Sequence, residues 1–277
     1  MCFGCEKFSL GTEGVSLGVL VWQHRALFRR FLVREIKGRY LGSFSGYFWV
    51  LLQPLAQLAI YSLVFTTIFR VRFPELEQHS FVVFVAIALW PWLAFHEGIL
   101  RATVAITNNA GLIRKIALPY ELLVYTAVGG SYAVHGVGFL LVLGVLTILG
   151  AELSLSALPL VLLLLGLLLL FTIGVALILS VLQVFLKDIE HVLAPVFMLL
   201  FYASPILYPL SLVPEPFRTL ILANPLSYFF DRLRALLMFG EWSPSGADVL
   251  AVLGSVLVFV AGLRLFRRCA GRFEEFL

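Results

Sequence analysis

Long uninterrupted runs of apolar residues dominate this chain, and short polar connections separate them. Each run carries almost no charge and is near or above the roughly 17–25 residues that a helix needs to cross a bilayer. The runs are continuous rather than alternating, which favours helices over the strands of a membrane barrel. The predicted spans are residues 41–69, 80–96, 122–151, 153–186, 192–214 and 246–263.

Composition and charge agree with this pattern. The chain is 61% hydrophobic and 13% charged, whereas a soluble domain is roughly 45–50% apolar and about 25% charged. We therefore predict an all-α integral membrane protein with six transmembrane helices. Cytoplasmic loops collect Lys and Arg, and fifteen of the twenty basic residues fall on one side if both termini are cytoplasmic. We expect that orientation.

Residues 19–40 precede the first span and are not apolar enough to cross. At helical spacing they form an amphipathic helix, which we expect to lie at the membrane interface with its basic face toward anionic headgroups. Packing against the protein's own core is the alternative. The apolar stripe consists of Phe28, Phe31, Leu32, Ile36 and Tyr40. The basic face consists of Arg30, Arg34 and Lys37.

A second short amphipathic segment, about residues 108–118, lies between the second and third spans. Either asparagine at its start, Asn108 or Asn109, can cap a short helix, and Pro119 marks the entry to the third span. A helix this short cannot cross, so it must lie at the cytoplasmic face, where another molecule could bind it. Its apolar residues are Leu112, Ile113 and Ile116, and its exposed basic residues are Arg114 and Lys115.

The stretch 201–234 is apolar yet contains five of the twelve prolines. Pro205 ends or bends the fifth span because it lacks a backbone donor, and Pro209 follows four residues later. Two short helices are predicted at about 214–237, the second capped by Asn224 with Pro225 at its first position. Neither can span alone, so we predict a re-entrant hairpin on the outer side. Such a break suggests a lid or mouth over a pathway.

Aromatic side chains recur on the first and fifth spans. Ordinary packing against lipid or protein is the alternative explanation for each of them. The other explanation is that these residues line a pathway through the membrane. They are Tyr61, Phe65, Phe197, Phe201 and Tyr202.

Catalytic and nucleotide-binding motifs are absent from the sequence. No lysine follows a glycine, so there is no Walker A loop, and the five histidines are scattered. Cys2 and Cys5 form a C-x-x-C without a neighbouring histidine, so we predict no metal site. Glu97 and Arg101, four residues apart, are expected to form an ion pair within the membrane. The sequence thus indicates no catalytic site.

Four motifs in order resemble the membrane subunit of bacterial ATP-binding-cassette exporters for polysaccharides, a family that includes permeases for O-antigen, teichoic acid and capsule. The resemblance covers roughly residues 20–270. One departure is Tyr120, where the family often has a basic residue. The motifs are REIKGRYLGSFSGYFWVLLQPL (34–55), NNAGLIRKIALPYE (108–121), VFLKDIEHVLAPVFMLLFYASPILYP (184–209) and NPLSYFFDRLR (224–234).

The resemblance implies a homodimeric permease in the bacterial inner membrane that works with two copies of a cytoplasmic ATPase. ATP and Mg²⁺ would bind the ATPase, and this chain would carry no cofactor and bind no nucleic acid. The implied substrate is a lipid-linked glycan, whose carrier phosphate could meet the basic face of the surface helix. The implied regions are a tail (1–18), the surface helix (19–40), the permease domain (41–266) and a cytoplasmic tail (267–277).

Residue roles follow from the same resemblance. The segment from Asn108 to Pro119 would carry the coupling helix that seats in the ATPase, with contacts from Asn108, Asn109, Leu112, Ile113, Arg114 and Lys115. The outer gate would involve Pro205, Tyr208, Pro209, Asn224 and Pro225. Three alternatives remain open: a drug or lipid permease of the same superfamily, a scaffold, and a transferase that would use the acidic pair Asp188 and Glu190.

Overall fold

The computed structural model describes residues 22–38, 46–70, 80–115 and 118–277, and these residues are helical or irregular, without a strand. Several residues named above lie outside these ranges: the N-terminal tail (1–18) with Cys2 and Cys5, and also Tyr40 and Ile116. The α-helices in chain order are α1 Arg25–Gly38, α2 Gly46–Ser62, α3 Phe81–Thr103, α4 Ala110–Ile113, α5 Glu121–Ile148, α6 Leu158–Phe185, α7 Ile189–Tyr202, α8 Glu215–Ala223, α9 Pro225–Arg234, α10 Gly246–Ala270 and α11 Phe273–Phe276.

Helices long and apolar enough to cross a membrane confirm the prediction of an all-α membrane fold. Among the described residues they are Leu51–Ile68, Phe81–Thr103, Glu121–Ile148, Leu155–Phe185 and Gly246–Ala270. The first of these is α2 continued by a π-helical turn. The predicted fifth span corresponds to α7, whose 14 residues reach about 21 Å, short of a hydrocarbon core about 30 Å thick. A total of six spans stays a prediction.

The helix α3 forms the axis of the bundle. It packs against α5 and α6, and 78% of its most apolar stretch is buried, against 11% in Leu51–Ile68. Its buried residues include the large side chain of Trp90. In a membrane an apolar residue gains little by leaving lipid, so this difference reflects neighbouring helices rather than hydropathy.

Two glycines bring α6 and α10 into backbone contact. A Cβ added at Gly174 would lie 2.6 Å from the backbone nitrogen of Phe259, and one added at Gly262 would collide with the backbone of Gly174. Small residues at a crossing let two membrane helices approach closely. The pair α6 and α10 therefore packs as one tight unit.

The surface helix α1 packs across α5. Phe28 and Leu32 of its apolar stripe lie over Gly129, while Arg30, Arg34 and Lys37 are exposed. The contact with the protein's own core, which we considered as an alternative, is present. The exposed basic face leaves its contact with lipid headgroups a prediction.

Candidate functional site

Two ends of the bundle hold the residues singled out from the sequence. We call residues 203–209 together with Asn224 and Arg234 the proline-rich end. We call α1, residues 101–115 and the C-terminal α11 the basic end. At 1.5 Å per residue, Phe84 and Arg101 of α3, which contact the two ends, are about 25 Å apart.

At the proline-rich end the chain leaves the helical path after Tyr202. A carbonyl freed by such a break must find another donor, because a bilayer offers no water to replace it. Each carbonyl from Leu199 to Ile206 has a donor within hydrogen-bond distance. The carbonyls of the break, as far as Ile206, are therefore all hydrogen-bonded.

Side chains satisfy the first part of this break. Tyr208 donates its hydroxyl to the carbonyl of Tyr202 at 2.7 Å. Asn224 donates to the carbonyl of Ala203 at 3.3 Å and to Oγ of Ser204 at 2.8 Å. Its Oδ1 accepts from the backbone N–H of Leu226. Asn224 is therefore the N-cap of α9, as predicted. One asparagine thus caps α9 and holds the end of α7.

Arg234 provides the hydrogen-bond donors for the second part of the break. Its guanidinium donates to the carbonyls of Pro205 at 2.5 Å, Ile206 at 2.8 Å and Phe84 at 3.0 Å. It also lies 3.4 Å from the centre of the Phe84 ring, a cation–π contact. The residue is only 4% exposed. A single buried cation therefore joins α9, the broken segment and α3.

The sequence indicated Pro205, Tyr208, Pro209 and Asn224 but did not single out Arg234. A signal was present, because Arg234 follows Phe230 and Leu226 at intervals of four and so shares the apolar face of α9. Pro205 and Pro209 are buried, Tyr208 and Asn224 are half-buried, and Pro225 is exposed. Their assignment to a gate stays a prediction.

A second cluster fastens α9 to α10. Arg232 donates to both carboxylate oxygens of Asp248, at 2.9 and 2.5 Å, and Tyr228 donates to the same carboxylate at 2.5 Å. Burial, together with the hydrogen bond to the carboxylate of Asp248, raises the pKa of Tyr228 to about 12. The tyrosine is therefore a hydrogen-bond donor at neutral pH.

An aromatic cluster brings the predicted pathway residues together in part. Tyr61 stacks on Phe201 at 5.8 Å between ring centres. Trp92 contacts Phe201 at 5.5 Å and Phe197 at 6.1 Å, and His96 meets Phe197 edge-on at 4.7 Å. Trp92 and His96 were not singled out, although they extend the same aromatic surface on α3.

The candidate lining residues differ in accessibility. Phe197 is 4% and Phe201 is 8% exposed, whereas Tyr202 is 57% exposed. Phe65 stacks on Phe81 at 5.5 Å, outside the cluster around Trp92. Within this single chain Phe197 and Phe201 face other rings, so a saccharide could reach them only if α7 moves away from α3. Their role in a pathway stays a prediction.

At the basic end, an asparagine joins the two short amphipathic segments. Asn109 occupies the N-cap position of α4, but its side chain does not cap that helix. It donates instead to the carbonyl of Ala105 and accepts from Arg34 of α1. We call the segment between α3 and α5, which contains α4, the connection. The surface helix α1 and the connection are therefore in direct contact.

The predicted ion pair between Glu97 and Arg101 is confirmed, at 2.6 Å. It belongs to a larger network, because Glu97 also contacts His135 of α5 at 2.5 Å and Arg101 contacts Glu35 of α1 at 3.3 Å. Sequence spacing gave the pair within α3 but could not give contacts between helices. The network links α1, α3 and α5.

A cavity of about 220 Å³ opens between these elements. Around it, Ile113 is buried, Asn109 and Leu112 are half-buried, and the other candidate coupling residues, Asn108, Arg114 and Lys115, are exposed. The exposed group offers polar and basic contacts to a partner. The lining residues are Phe31, Arg34, Glu35, Arg101, Val104, Ala105, Asn108, Asn109, Leu123 and Thr126.

The acidic pair that a transferase would use lies on the turn between α6 and α7. Asp188 and Glu190 are both exposed. The backbone N–H of Glu190 donates to the side chain of Gln183, whose amide donates to the carbonyl of Lys187. This arrangement stabilises the turn.

A helical membrane bundle with a broken, hydrogen-bonded helix at one end and a short amphipathic connection at the other is a transporter-like architecture. The sequence matches the ABC-2 type transporter family over residues 26–238. The chain belongs to this family. The match contains both the surface helix α1 and the proline-rich end.

Named relatives are similar along most of the chain. An O-antigen export system permease protein RfbA from Klebsiella pneumoniae is 31% identical over 251 residues, covering 88% of this chain and 92% of the relative. RfbA from Myxococcus xanthus is 30% identical, with coverages of 86% and 89%. The polysialic acid transport protein KpsM from Escherichia coli is 29% identical, with coverages of 85% and 90%.

Proposed function

We propose that this chain is the transmembrane permease of an ATP-driven exporter that moves a lipid-linked polysaccharide, O-antigen or a related cell-surface glycan, across the bacterial inner membrane. The observation that carries the proposal is the similarity to O-antigen permeases over 86–88% of this chain and 89–92% of theirs. It extends through both ends of the bundle, so it includes the connection and the proline-rich segment. A capsule or teichoic acid exporter of the same kind is the nearest alternative.

Two copies of the chain would enclose the pathway. Leu51–Ile68 is largely unburied within one chain, and α7 exposes Val192, Met198, Leu199 and Tyr202. Both helices therefore have apolar faces to offer a second copy. In such a dimer the stacked rings of Tyr61 and Phe201 would border the route, and sugar C–H faces could pack against them.

The energy would come from a separate cytoplasmic ATPase, two copies per exporter, which would bind ATP and Mg²⁺. This chain would meet it through the connection, with Leu112, Arg114 and Lys115 at the contact. Closure of the ATPase dimer would displace the connection and, through α3 and α5, open the path. Both termini would then be cytoplasmic, as the distribution of Lys and Arg indicates.

The carrier phosphate would approach the exposed basic face of α1. Arg30 and Lys37 point to solvent or headgroups, and a phosphate prefers such cationic partners. Arg34 already donates to Asn109, so a phosphate there would compete with the contact between α1 and the connection. Binding of the carrier would thereby weaken the contact between α1 and the connection.

The test is to tag the chain in its native host, purify it in mild detergent and identify what co-purifies. We expect an ATPase with a Walker motif at one-to-one stoichiometry, and loss of surface polysaccharide when the permease is deleted. Leu112→Asp should abolish co-purification, whereas Leu112→Met should retain it. Leu112 is preferable to the neighbouring Ile113 because Ile113 is buried, and Asp there would unfold the segment.

A stable permease that yields no ATPase, in a host whose surface polysaccharide survives the deletion, would refute the proposal. If ATPase co-purifies but a lipid or drug rather than polysaccharide accumulates in the deletion strain, the chain would be a permease of another substrate class. Loss of capsule instead of O-antigen would select the KpsM-like alternative.

A further inference from the structure

The C-terminal segment, expected to be a cytoplasmic tail, is packed into the bundle. Phe273 is fully buried and contacts three rings, those of Phe266 at 5.3 Å, Tyr120 at 6.1 Å and Phe185 at 6.3 Å between centres. Phe276 meets Phe185 edge-on at 4.8 Å. The short helix α11 is therefore anchored on α6 and on the residue that precedes α5.

Two polar contacts tie the same segment to the start of α5. Arg267 donates to the carboxylate of Glu121 at 3.2 Å, and the Glu121 side chain is only 9% exposed. The hydroxyl of Tyr120 donates to Glu274 at 3.1 Å. Tyr120 and Glu121 stand where the connection enters α5. The end of the chain thus holds the second boundary of the connection.

The start of α4 is held differently, by Asn109, which is bonded to Ala105 and to Arg34 of α1. The connection is therefore held at two points. A displacement of the connection would be passed to the helices that contact it at these points. At its second boundary it is held by α10, through Arg267, and by α11. Since α10 is in backbone contact with α6, displacement of the connection would reach α6 and α10 as well as α5.

We propose that residues Arg267 to Leu277 form a clamp that positions the connection for its ATPase partner, with Glu121 and Arg267 as positioning residues. This inference rests on the proposed function. The ion pair is mostly shielded from solvent, so removing one partner leaves a poorly compensated charge and should loosen the junction. Replacing both partners with their opposites should restore the attraction.

The test uses the whole exporter in its native host, with surface polysaccharide and co-purified ATPase measured in the same strains. Glu121→Arg and Arg267→Glu should each lower surface polysaccharide at least about five-fold while retaining at least half of the ATPase. The double variant with both changes should recover at least half of the export. Glu275→Gln, which alters an exposed carboxylate of α11, is the matched control and should export normally.

A second measurement needs neither ATPase nor substrate. Arg114 and Lys115 are exposed tryptic sites in the connection, and Arg218 is an exposed site in α8 at the other end. In purified permease, Glu121→Gln should speed cleavage at 114–115 at least about three-fold and leave cleavage at Arg218 unchanged. General destabilisation would instead accelerate both sites together.

Export by either single charge reversal at the wild-type level would overturn the clamp, as would a double variant that folds and assembles yet stays inactive. Unchanged cleavage at 114–115 in Glu121→Gln would also overturn it. If wild-type permease exports no polysaccharide and binds no ATPase, the proposed function fails. The cleavage ratio would still decide whether the C-terminal segment holds the connection.

Discussion

The proline-rich end and the basic end solve the same problem, holding non-helical backbone at the end of a membrane bundle, by opposite means. At the proline-rich end a buried cation, Arg234, donates to three neutral carbonyls. At the basic end partly exposed side chains form ion pairs, such as Arg101 with Glu35. The contacts of Arg234 are desolvated hydrogen bonds, whereas the pair of Arg101 and Glu35 consists of charges that water can replace.

This difference has physical consequences. Buried hydrogen bonds to a charged group are strong and costly to leave unmade, so the proline-rich end should resist rearrangement. Exposed ion pairs contribute little and are screened by salt, so the basic end can exchange partners at low cost. The end that we propose receives the ATPase thus combines an easily replaced pair, Arg101 with Glu35, with the shielded pair of Glu121 and Arg267.

Arg234→Met should have the largest effect, because it leaves the carbonyls of Phe84, Pro205 and Ile206 without their donor. We expect a loss of about 3 kcal/mol, since each unsatisfied buried group costs roughly 1–3 kcal/mol and relief of a buried charge offsets part of the sum. For a domain of this size that is on the order of 6–10 °C in the midpoint of thermal unfolding in detergent.

Arg218→Met is the matched control, because Arg218 lies at the same end but forms an exposed pair with Glu215. It should shift the midpoint by less than about 1 °C. Arg234→Lys should fall between the two, since an ammonium keeps the charge but cannot reproduce the planar fork. An Arg234→Met midpoint equal to the wild type would show that the cation does not hold the break.

Asn224→Ala should be next, with a loss of about 1–2 kcal/mol in the same assay. It removes the N-cap of α9, worth about 1 kcal/mol, and the donors to Ala203 and Ser204. Asn224→Asp keeps the cap acceptor and loses the donors, so it should lie halfway. Asn108→Ala, an exposed asparagine of the basic end, should be neutral. If Asn224→Ala and Asn108→Ala lowered the stability equally, the proposed difference between the proline-rich end and the basic end would be wrong.

These contacts mark the boundary of what the sequence could predict. Continuous hydropathy predicts a helical membrane protein because the bilayer permits few other structures, and an interval of four predicts the pair of Glu97 and Arg101. Arg234 reaches Phe84, 150 positions earlier, and no local rule gives such a partner. An arginine on the apolar face of α9 indicated burial, but only the packed bundle shows what it binds.

Burial within the bundle was equally hidden from hydropathy. Leu51–Ile68 and Phe81–Thr103 have almost the same mean hydropathy, yet the second is far more buried. In a membrane protein the residues that face lipid and the residues that face other helices are both apolar, so hydropathy does not distinguish them. The clamp at Glu121 and Arg267 was missed for a related reason, because the two residues are 146 positions apart.

A matched pair of tyrosine substitutions sharpens the comparison at the level of one hydroxyl. Tyr208→Phe leaves the Tyr202 carbonyl without a donor and should cost about 1 kcal/mol, whereas Tyr120→Phe leaves the exposed Glu274 carboxylate to water and should cost less than about 0.5 kcal/mol. Thermal unfolding of both variants measures the difference. A larger loss for Tyr120→Phe would reverse the proposed contrast.

The pH dependence of that difference has a definite sign. Burial, together with the hydrogen bond and the negative charge of Glu274, raises the pKa of Tyr120. A pKa that is higher in the folded state gives a contribution that is complete below the ordinary value near 10 and is lost as pH rises above it. The difference between the variants should therefore be constant from about pH 6 to pH 8.

The smallest effect is expected at the ion pair of Glu35 with Arg101, and salt distinguishes it from the larger ones. Its side chains are 30% and 38% exposed, so Glu35→Gln should cost no more than about 0.5 kcal/mol at low salt. At about 1 M NaCl the screening length falls to roughly 3 Å, and the difference from wild type should vanish. The Arg234→Met loss should persist there, because its hydrogen bonds are shielded from ions. If salt instead weakened both to the same degree, the hydrogen bonds of Arg234 at the proline-rich end would be open to solvent.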